Sequence, residues 1–231
     1  MLYTKRILGT IAYLGGLPAN LEAFTWAWGQ LIQYSNEYVC NPLQGEILHL
    51  DKATVSLHDF ARNSLADRFL GDWLWMTDTD HAFDPDILAR MLFLSHKYDL
   101  SVVTALYRHR AGPGCPVIYQ WDSDGVFALP IANWDRDIEV LQVGSAGAGC
   151  LLIRRPVFDR IRTELHEQPF DRFAHYGEDH AFFKRCAQLH IPVYALTRIE
   201  SPHIVVDTLK MRDYRVEDSM VTLRQETEGY R

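Results

Sequence analysis

The sequence has no CxxC pair, no excess of basic residues, no internal repeat, no low-complexity linker and no apolar run near the length of a membrane span. Each absence removes a class of protein. Cys40, Cys115, Cys150 and Cys186 are scattered, which argues against structural zinc and against a disulfide framework. Reduced, mostly buried thiols in a cytoplasmic protein are the expectation. About 18 apolar residues are needed to cross a bilayer, and Met1 to Arg6 leads into a strand-like stretch rather than an apolar leader. Neither a transmembrane segment nor a secretory signal is therefore expected. A formal net charge of −7 lacks the basic stripe that nucleic-acid binding needs. It also sets a problem for any phosphate-bearing substrate, which a divalent cation held by carboxylates would solve.

What is present is a chain of 231 residues, 48% hydrophobic and 23% charged, suited to one globular domain. Apolar runs alternate with helical patterns. Residues 6–13 read as a buried strand ending in the turn cluster Gly15-Gly16-Leu17-Pro18. Asn20 is placed to cap a helix to about Gln33, with Leu21, Phe24, Trp28 and Leu31 on one face. Residues 46–50 form a second strand. A helix over 57–70 should turn Leu57, Phe60, Ala61, Leu65 and Phe69 inward. Trp73-Leu74-Trp75-Met76 lies in a strongly apolar strand, and Asp84-Pro85-Asp86 opens the next helix with Pro85 at its first position. A strand over 100–106 completes a half in which strands and helices alternate, the signature of a parallel sheet with crossover helices. The second half differs. Residues 116–120 and 126–129 flank the turn Asp122-Ser123-Asp124-Gly125 as a hairpin. Further strands over 138–143, 149–153 and 191–196 and helices over 156–165 and 178–189 suggest a mixed sheet. The fold class is therefore α/β, with a nucleotide-binding first half and a mixed-sheet second half. Residues 1–204 form the domain, and 205–231 a polar tail, read as helical.

Asp-x-Asp occurs four times, at Asp78/Asp80, Asp84/Asp86, Asp122/Asp124 and Asp135/Asp137. The last three fall at a helix start, in a turn and in a polar loop, where acids are ordinary. Asp78 and Asp80 instead follow directly on the apolar strand, and ligands of open parallel sheets bind outside the carboxyl ends of strands. Two carboxylates there repel each other unless a cation with oxygen ligands joins them, and such a cation could bridge a diphosphate leaving group. The competing explanation is a pair of acids capping the following turn. Arg62, on the preceding helix, is placed to meet phosphate or to orient an acidic ligand, although an Arg-Asn pair such as Arg62-Asn63 is more often solvated.

Gly177-Glu178-Asp179 begins a helix, where acids favour the dipole. The same geometry can aim a carboxylate into a cleft, so Asp179 is the candidate base and Glu178 its partner. His203 follows the last strand. A His joining Asp ligands would favour Mn2+ over Mg2+, which requires Asp80 and His203 to come within reach of one ion. His81, His175, His180 and His190 have no comparable support as ligands. The small-residue run Gly144 to Gly149 could let the backbone approach a sugar closely or be a flexible turn. It lacks the spacing of a dinucleotide fingerprint.

Together these segments resemble the GT-A glycosyltransferases, family 2-like enzymes in particular, over roughly residues 5–204. The resemblance rests on Ala61-Arg62-Asn63, the block Trp73 to Asp80, the glycine-rich strand and helix Gly147 to Phe158, Gly177-Glu178-Asp179, and Pro202-His203. It implies a GT-A fold and a metal-dependent transferase with Mn2+ or Mg2+ as cofactor and a nucleotide-sugar, UDP-sugar favoured, as donor. It places Asp80 and His203 on the metal. Asp78 would contact the donor ribose or the metal's water shell, with Thr79 in the same block. Ala12, Tyr13 and Leu14 would meet the nucleoside, Gly149 would shape the donor pocket, and Asp179 would be the base of an inverting reaction. One departure is the segment Ala12-Tyr13-Leu14-Gly15-Gly16, where the family carries a Pro-x-Tyr-Asn-like run. The acceptor, an unspecified hydroxyl compound, is left to the tail or to a second subunit. Two alternatives stand beside this reading: a nucleotidyltransferase, against which the lack of Lys or Arg in Gly15 to Pro18 counts, and a non-catalytic sugar- or nucleotide-binding module.

Overall fold

The computed structural model describes residues 5–15, 21–54, 57–109, 115–135, 137–173 and 176–204. Gly16, Leu17, Pro18, Asn20, His175 and the tail 205–231 lie outside the described residues.

In chain order the first half comprises β1 (Arg6–Gly15), α1 (Leu21–Tyr38), β2 (Glu46–Thr54), α2 (His58–Arg68), β3 (Trp73–Asp78), α3 (Ile87–Lys97) and β4 (Val102–Leu106). The second comprises β5 (Ile118–Trp121), β6 (Ala128–Pro130), β7 (Val140–Val143), β8 (Ser145–Ala146), β9 (Cys150–Arg154), α4 (Arg155–Arg160), α5 (Glu178–Gln188) and β10 (Val193–Glu200). Helix α4 runs on into a wider π-type turn, Ile161–Leu165.

Seven strands form one sheet in the order β2-β1-β3-β9-β4-β10-β7. β1 is parallel to β2 and β3, and β10 is parallel to β4. β9 is antiparallel to both β3 and β4, and β7 is antiparallel to β10. The mixed second half is thus interleaved with the parallel first half rather than added to its edge. A small sheet, β6-β5-β8, holds the expected hairpin.

Strand side chains alternate between faces, and β3 shows the result. Leu74 and Met76 join Leu65 of α2, Phe158 of α4 and Phe182 of α5 on one side. Trp73 and Trp75 join Phe24 and Leu31 of α1 and Met91 of α3 on the other. Burial on both faces is what the unbroken apolar run demands.

Three local expectations differ from the structure. Leu57 is 48% and Phe60 68% exposed. Ala61, Leu65 and Phe69 are buried as expected, and helix α2 buries Arg62, Asn63 and Ala66 beside them. Pro85 is not the first residue of α3: Asp86 is the N-cap, after a turn closed by the Ile87 amide donating to the Asp84 carbonyl. Gly144 to Gly149 is not a flexible turn. Ser145 and Ala146 pair with β5, and the Gly147 amide donates to the Val117 carbonyl. No helix among the described residues is long and apolar enough to cross a membrane.

Candidate active site

The carboxyl ends of β1, β3, β4 and β10 share one edge of the sheet, and the antiparallel β9 brings its amino end to the same place. Asp78 ends β3, Tyr107 follows β4, His203 follows β10 and Gly149 precedes β9. A cleft of about 240 Å³ opens there, and Arg62, Asp78, Tyr107, Gly149, Asp179 and His203 are among the residues that line it.

Arg62 organises one wall. It is 3% exposed. Its Nη2 donates to both Asp78 carboxylate oxygens at 3.0 and 3.3 Å, and its Nη1 donates to the Ala148 carbonyl at 2.9 Å. Nε lies 3.6 Å from Glu178 Oε1. Burial works to lower the pKa of the guanidinium, but Asp78, Glu178 and Asp179 more than offset this and raise it. Both terminal nitrogens of the fork are hydrogen-bonded to protein groups, while Nε is buried with no hydrogen-bond partner among the described residues, so Arg62 orients the Asp78 carboxylate. Its neighbour Asn63 is likewise buried: it donates to Asp171 Oδ1 at 2.7 Å and accepts from the Phe170 amide at 2.8 Å. The solvated Arg-Asn pair is therefore excluded.

Asp80 lies deeper, 2% exposed, and His203 Nε2 sits 4.0 Å from its Oδ2. The two sequence-predicted ligands do face each other. A short antiparallel bridge pairs His81 with His203, flanked by the Ala82 amide donating to the Pro202 carbonyl and the Ile204 amide to the Asp80 carbonyl. This clamp brings a third residue into the group. Donor atoms of Asp80, His81 and His203 all lie within 4.8 Å of one another. The sequence gives His81 no support as a ligand, yet the structure places it in the cluster, and places Asp78 beside Arg62, outside it. Burial pushes the His81 imidazole pKa down to about 4, so the ring is neutral at physiological pH.

Tyr107 and the glycines form the floor. The Tyr107 ring meets both imidazoles edge-on, with centroids 4.7 Å from His81 and 5.0 Å from His203. Its hydroxyl accepts from the Gly149 amide at 2.9 Å, and burial holds the phenol well above its usual pKa. A Cβ at Gly147 would lie 2.0 Å from that hydroxyl, and one at Gly149 would lie 2.5 Å from His81 Nε2. Close approach explains both glycines, but the partner is the protein's own ring. Tyr107 was not foreseen, since one aromatic after a strand carries no distinguishing signal.

Asp179 lies in the first turn of α5 and faces the cleft, with Oδ1 accepting from the His180 amide at 2.7 Å. Glu178 is held by Arg62, with His58 and Arg172 each 4.0 Å away. Ala12 and Leu14 are buried in the core and flanked by β2 and β3. Tyr13 packs against Phe24 and Trp28, and Thr79 is buried. None of these four lines the cleft. Alternation in β1 sends the side chains of Ala12 and Leu14 into the core beneath α2.

No family model matches the sequence, and no curated protein is detectably similar. Similar solved structures include A197 from STIV, with TM-score 0.52 and 19% identity over 86% of each chain. They also include GalNAc-T7 with UDP, GalNAc and Mn2+, with TM-score 0.58 and 11% identity over 96% of this chain and 48% of that one. This chain thus spans about half the length of the GalNAc-T7 structure. The mixed α/β architecture with its seven-stranded sheet is a GT-A-like fold.

Proposed function

We propose that this chain is a cation-dependent glycosyltransferase that moves a sugar from a nucleoside diphosphate donor, a UDP-sugar, to a hydroxyl acceptor with inversion. The observation that carries the reading is the meeting of Asp80 and His203 at 4.0 Å beneath a cleft at the carboxyl edge of the sheet. The GT-A-like fold supports it, as does the ligand set of the GalNAc-T7 structure, which contains UDP, GalNAc and Mn2+.

The residues fit a cation. His203 Nδ1 lies 2.6 Å from the Arg108 carbonyl. A carbonyl only accepts, so Nδ1 carries a proton and Nε2 is the nitrogen turned toward Asp80, the one a neutral ring offers to an ion. One carboxylate and one imidazole suit Mn2+ better than Mg2+. When bound, the cation neutralises the diphosphate and stabilises it as leaving group.

The chain does the rest. Arg62 fixes the Asp78 carboxylate at the cleft mouth, where it can accept from a donor hydroxyl. Asp179 takes the proton of the acceptor hydroxyl as its oxygen attacks the anomeric carbon. The carbon–oxygen bond to phosphate breaks on the opposite face, and the electron pair leaves with the diphosphate. Glu178, tied to Arg62, holds the start of α5 in place.

The test is a thermal-shift screen of UDP-, GDP- and ADP-sugars with and without Mn2+, followed by transfer assays with Asp179→Asn. A UDP-sugar with Mn2+ should raise the melting temperature by mass action. Asp179→Asn should keep that shift and lose transfer by about 100-fold or more, the usual worth of a general base. Unchanged transfer, or a product of retained anomeric configuration by NMR, removes Asp179 as base. The absence of any nucleotide-sugar shift removes the donor assignment.

A further inference from the structure

The histidine that the sequence gives no reason to choose has the most unusual environment in the site. His81 is 0% exposed. Its Nδ1 lies 2.6 Å from the Ser201 carbonyl and 3.0 Å from the Ser201 hydroxyl. The carbonyl cannot donate, so Nδ1 bears the proton and Nε2 bears the lone pair. That Nε2 is buried with no hydrogen-bond partner among the described residues, a costly state for a polar atom in a packed interior. The surroundings enforce it. Gly149 leaves no more than the room its missing side chain provides, and the Tyr107 ring closes the adjacent side.

We infer that His81 is a third protein ligand of the cation site, so that Asp80, His81 and His203 form a set of two imidazoles and one carboxylate. Both rings carry the same internal support: each Nδ1–H donates to a backbone carbonyl, of Ser201 and of Arg108. That is the arrangement that fixes the tautomer of metal-bound histidines and raises their basicity. The donor atoms, within 4.8 Å of each other, need only sub-ångström shifts to meet an ion with bonds of about 2.0–2.2 Å. Two nitrogen donors have a chemical consequence. Mg2+ prefers oxygen and keeps its waters, whereas Co2+ and Zn2+ gain from imidazole and bind such sets more tightly than Mn2+. The site therefore takes a borderline first-row cation and rejects Mg2+. The inference builds on the cation site of the proposed function, but it concerns ligation and can be tested without any transfer.

The experiment uses the full chain, freed of metal with a chelator and titrated with Co2+. Visible ligand-field bands should appear at one equivalent, vanish on adding Zn2+ and persist in about 100-fold excess Mg2+. His81→Asn keeps an N–H where Nδ1 donates to Ser201 and removes the Nε2 lone pair. It should weaken Co2+ binding by more than the 10- to 100-fold, roughly, that outer-shell changes cause. A second measurement needs no variant: in 15N-labelled protein, one equivalent of Zn2+ should move the Nε2 resonances of two histidines. Movement of a single histidine overturns the inference. So does His81→Asn binding Co2+ like the parent while Asp80→Ala does not; that result leaves the two-ligand site of the proposed function standing. Displacement of Co2+ by Mg2+ overturns the stated preference. Absence of any Co2+ or Zn2+ binding overturns the inference outright, and the transferase reading is then decided separately by the nucleotide-sugar shifts.

Discussion

Substituting Gly149 by Ala probes the most constrained point of the site. The new methyl would sit 2.5 Å from His81 Nε2, 2.9 Å from His81 Cε1 and 3.2 Å from Tyr107 Cζ. Ordinary carbon contacts need about 3.5 Å, so the imidazole must retreat by about 1 Å. The glycine itself cannot yield. Its carbonyl accepts from the Asp78 amide at 3.1 Å and from Thr77 Oγ1 at 3.0 Å, and its amide donates to Tyr107. His81 is anchored in turn to Ser201. Forced overpacking of this kind costs about 1–3 kcal/mol. At about 2–4 °C per kcal/mol for a chain of this size, the melting temperature should fall by about 2–12 °C. Gly29 is the control: a Cβ there meets nothing within 4 Å, and it lies in α1. Gly29→Ala should gain about 0.5–1 kcal/mol from lost chain entropy and raise the melting temperature. Circular dichroism melts of both variants in chelator, with calorimetric cation titrations, decide the matter. A Gly149→Ala protein that melts and binds cations like the parent would show that the packing of His81 against β9 is not as described.

Other expectations follow from the same contacts. Arg62→Met should cost about 3 kcal/mol in urea unfolding, at the low end for breaking a buried pair because Asp78 and Glu178 retain side-chain exposures of 17% and 14%; a loss below about 1 kcal/mol would contradict its role as hub. His81 in the metal-free protein supplies a pH dependence. Its pKa is lowered from 6.5 to about 4 by burial, so the unfolded chain binds the proton more tightly. The associated stability is complete above about pH 6.5 and drains as pH falls toward 4, by on the order of 3 kcal/mol. His81→Asn should flatten that slope, and an unchanged slope would show that another group titrates. Among the cysteines, Cys115 is exposed while Cys40, Cys150 and Cys186 are buried, and burial pushes the Cys150 thiol up to about 12. A thiol reagent on native protein should label Cys115 rapidly and the other three only after denaturation, as mass spectrometry of the labelled peptides would show.

The local chemistry of the chain determined a good deal by itself. The apolar run before Asp78 could only be a strand buried on both faces, because it offers no polar side to solvent. Period-2 and helical spacing placed the alternating first half and the hairpin around Asp122 to Gly125, and the acids after a strand end marked Asp78 and Asp80 as a candidate cation site. Pairing order lay beyond reach. Nothing local in Cys150 to Arg154 says that it runs antiparallel between β3 and β4, since a strand's neighbours are chosen by the packing of the whole sheet. Yet that insertion is what sets Gly149 against His81. Arg62 has the same composition and spacing as a solvated arginine, and only Asp78, Ala148 and Glu178, arriving from distant segments, make its burial affordable. His81 was invisible for the same reason. Its lone pair is aimed by Ser201, Tyr107 and Gly149, three groups that meet only when the ends of β10, β4 and β9 converge.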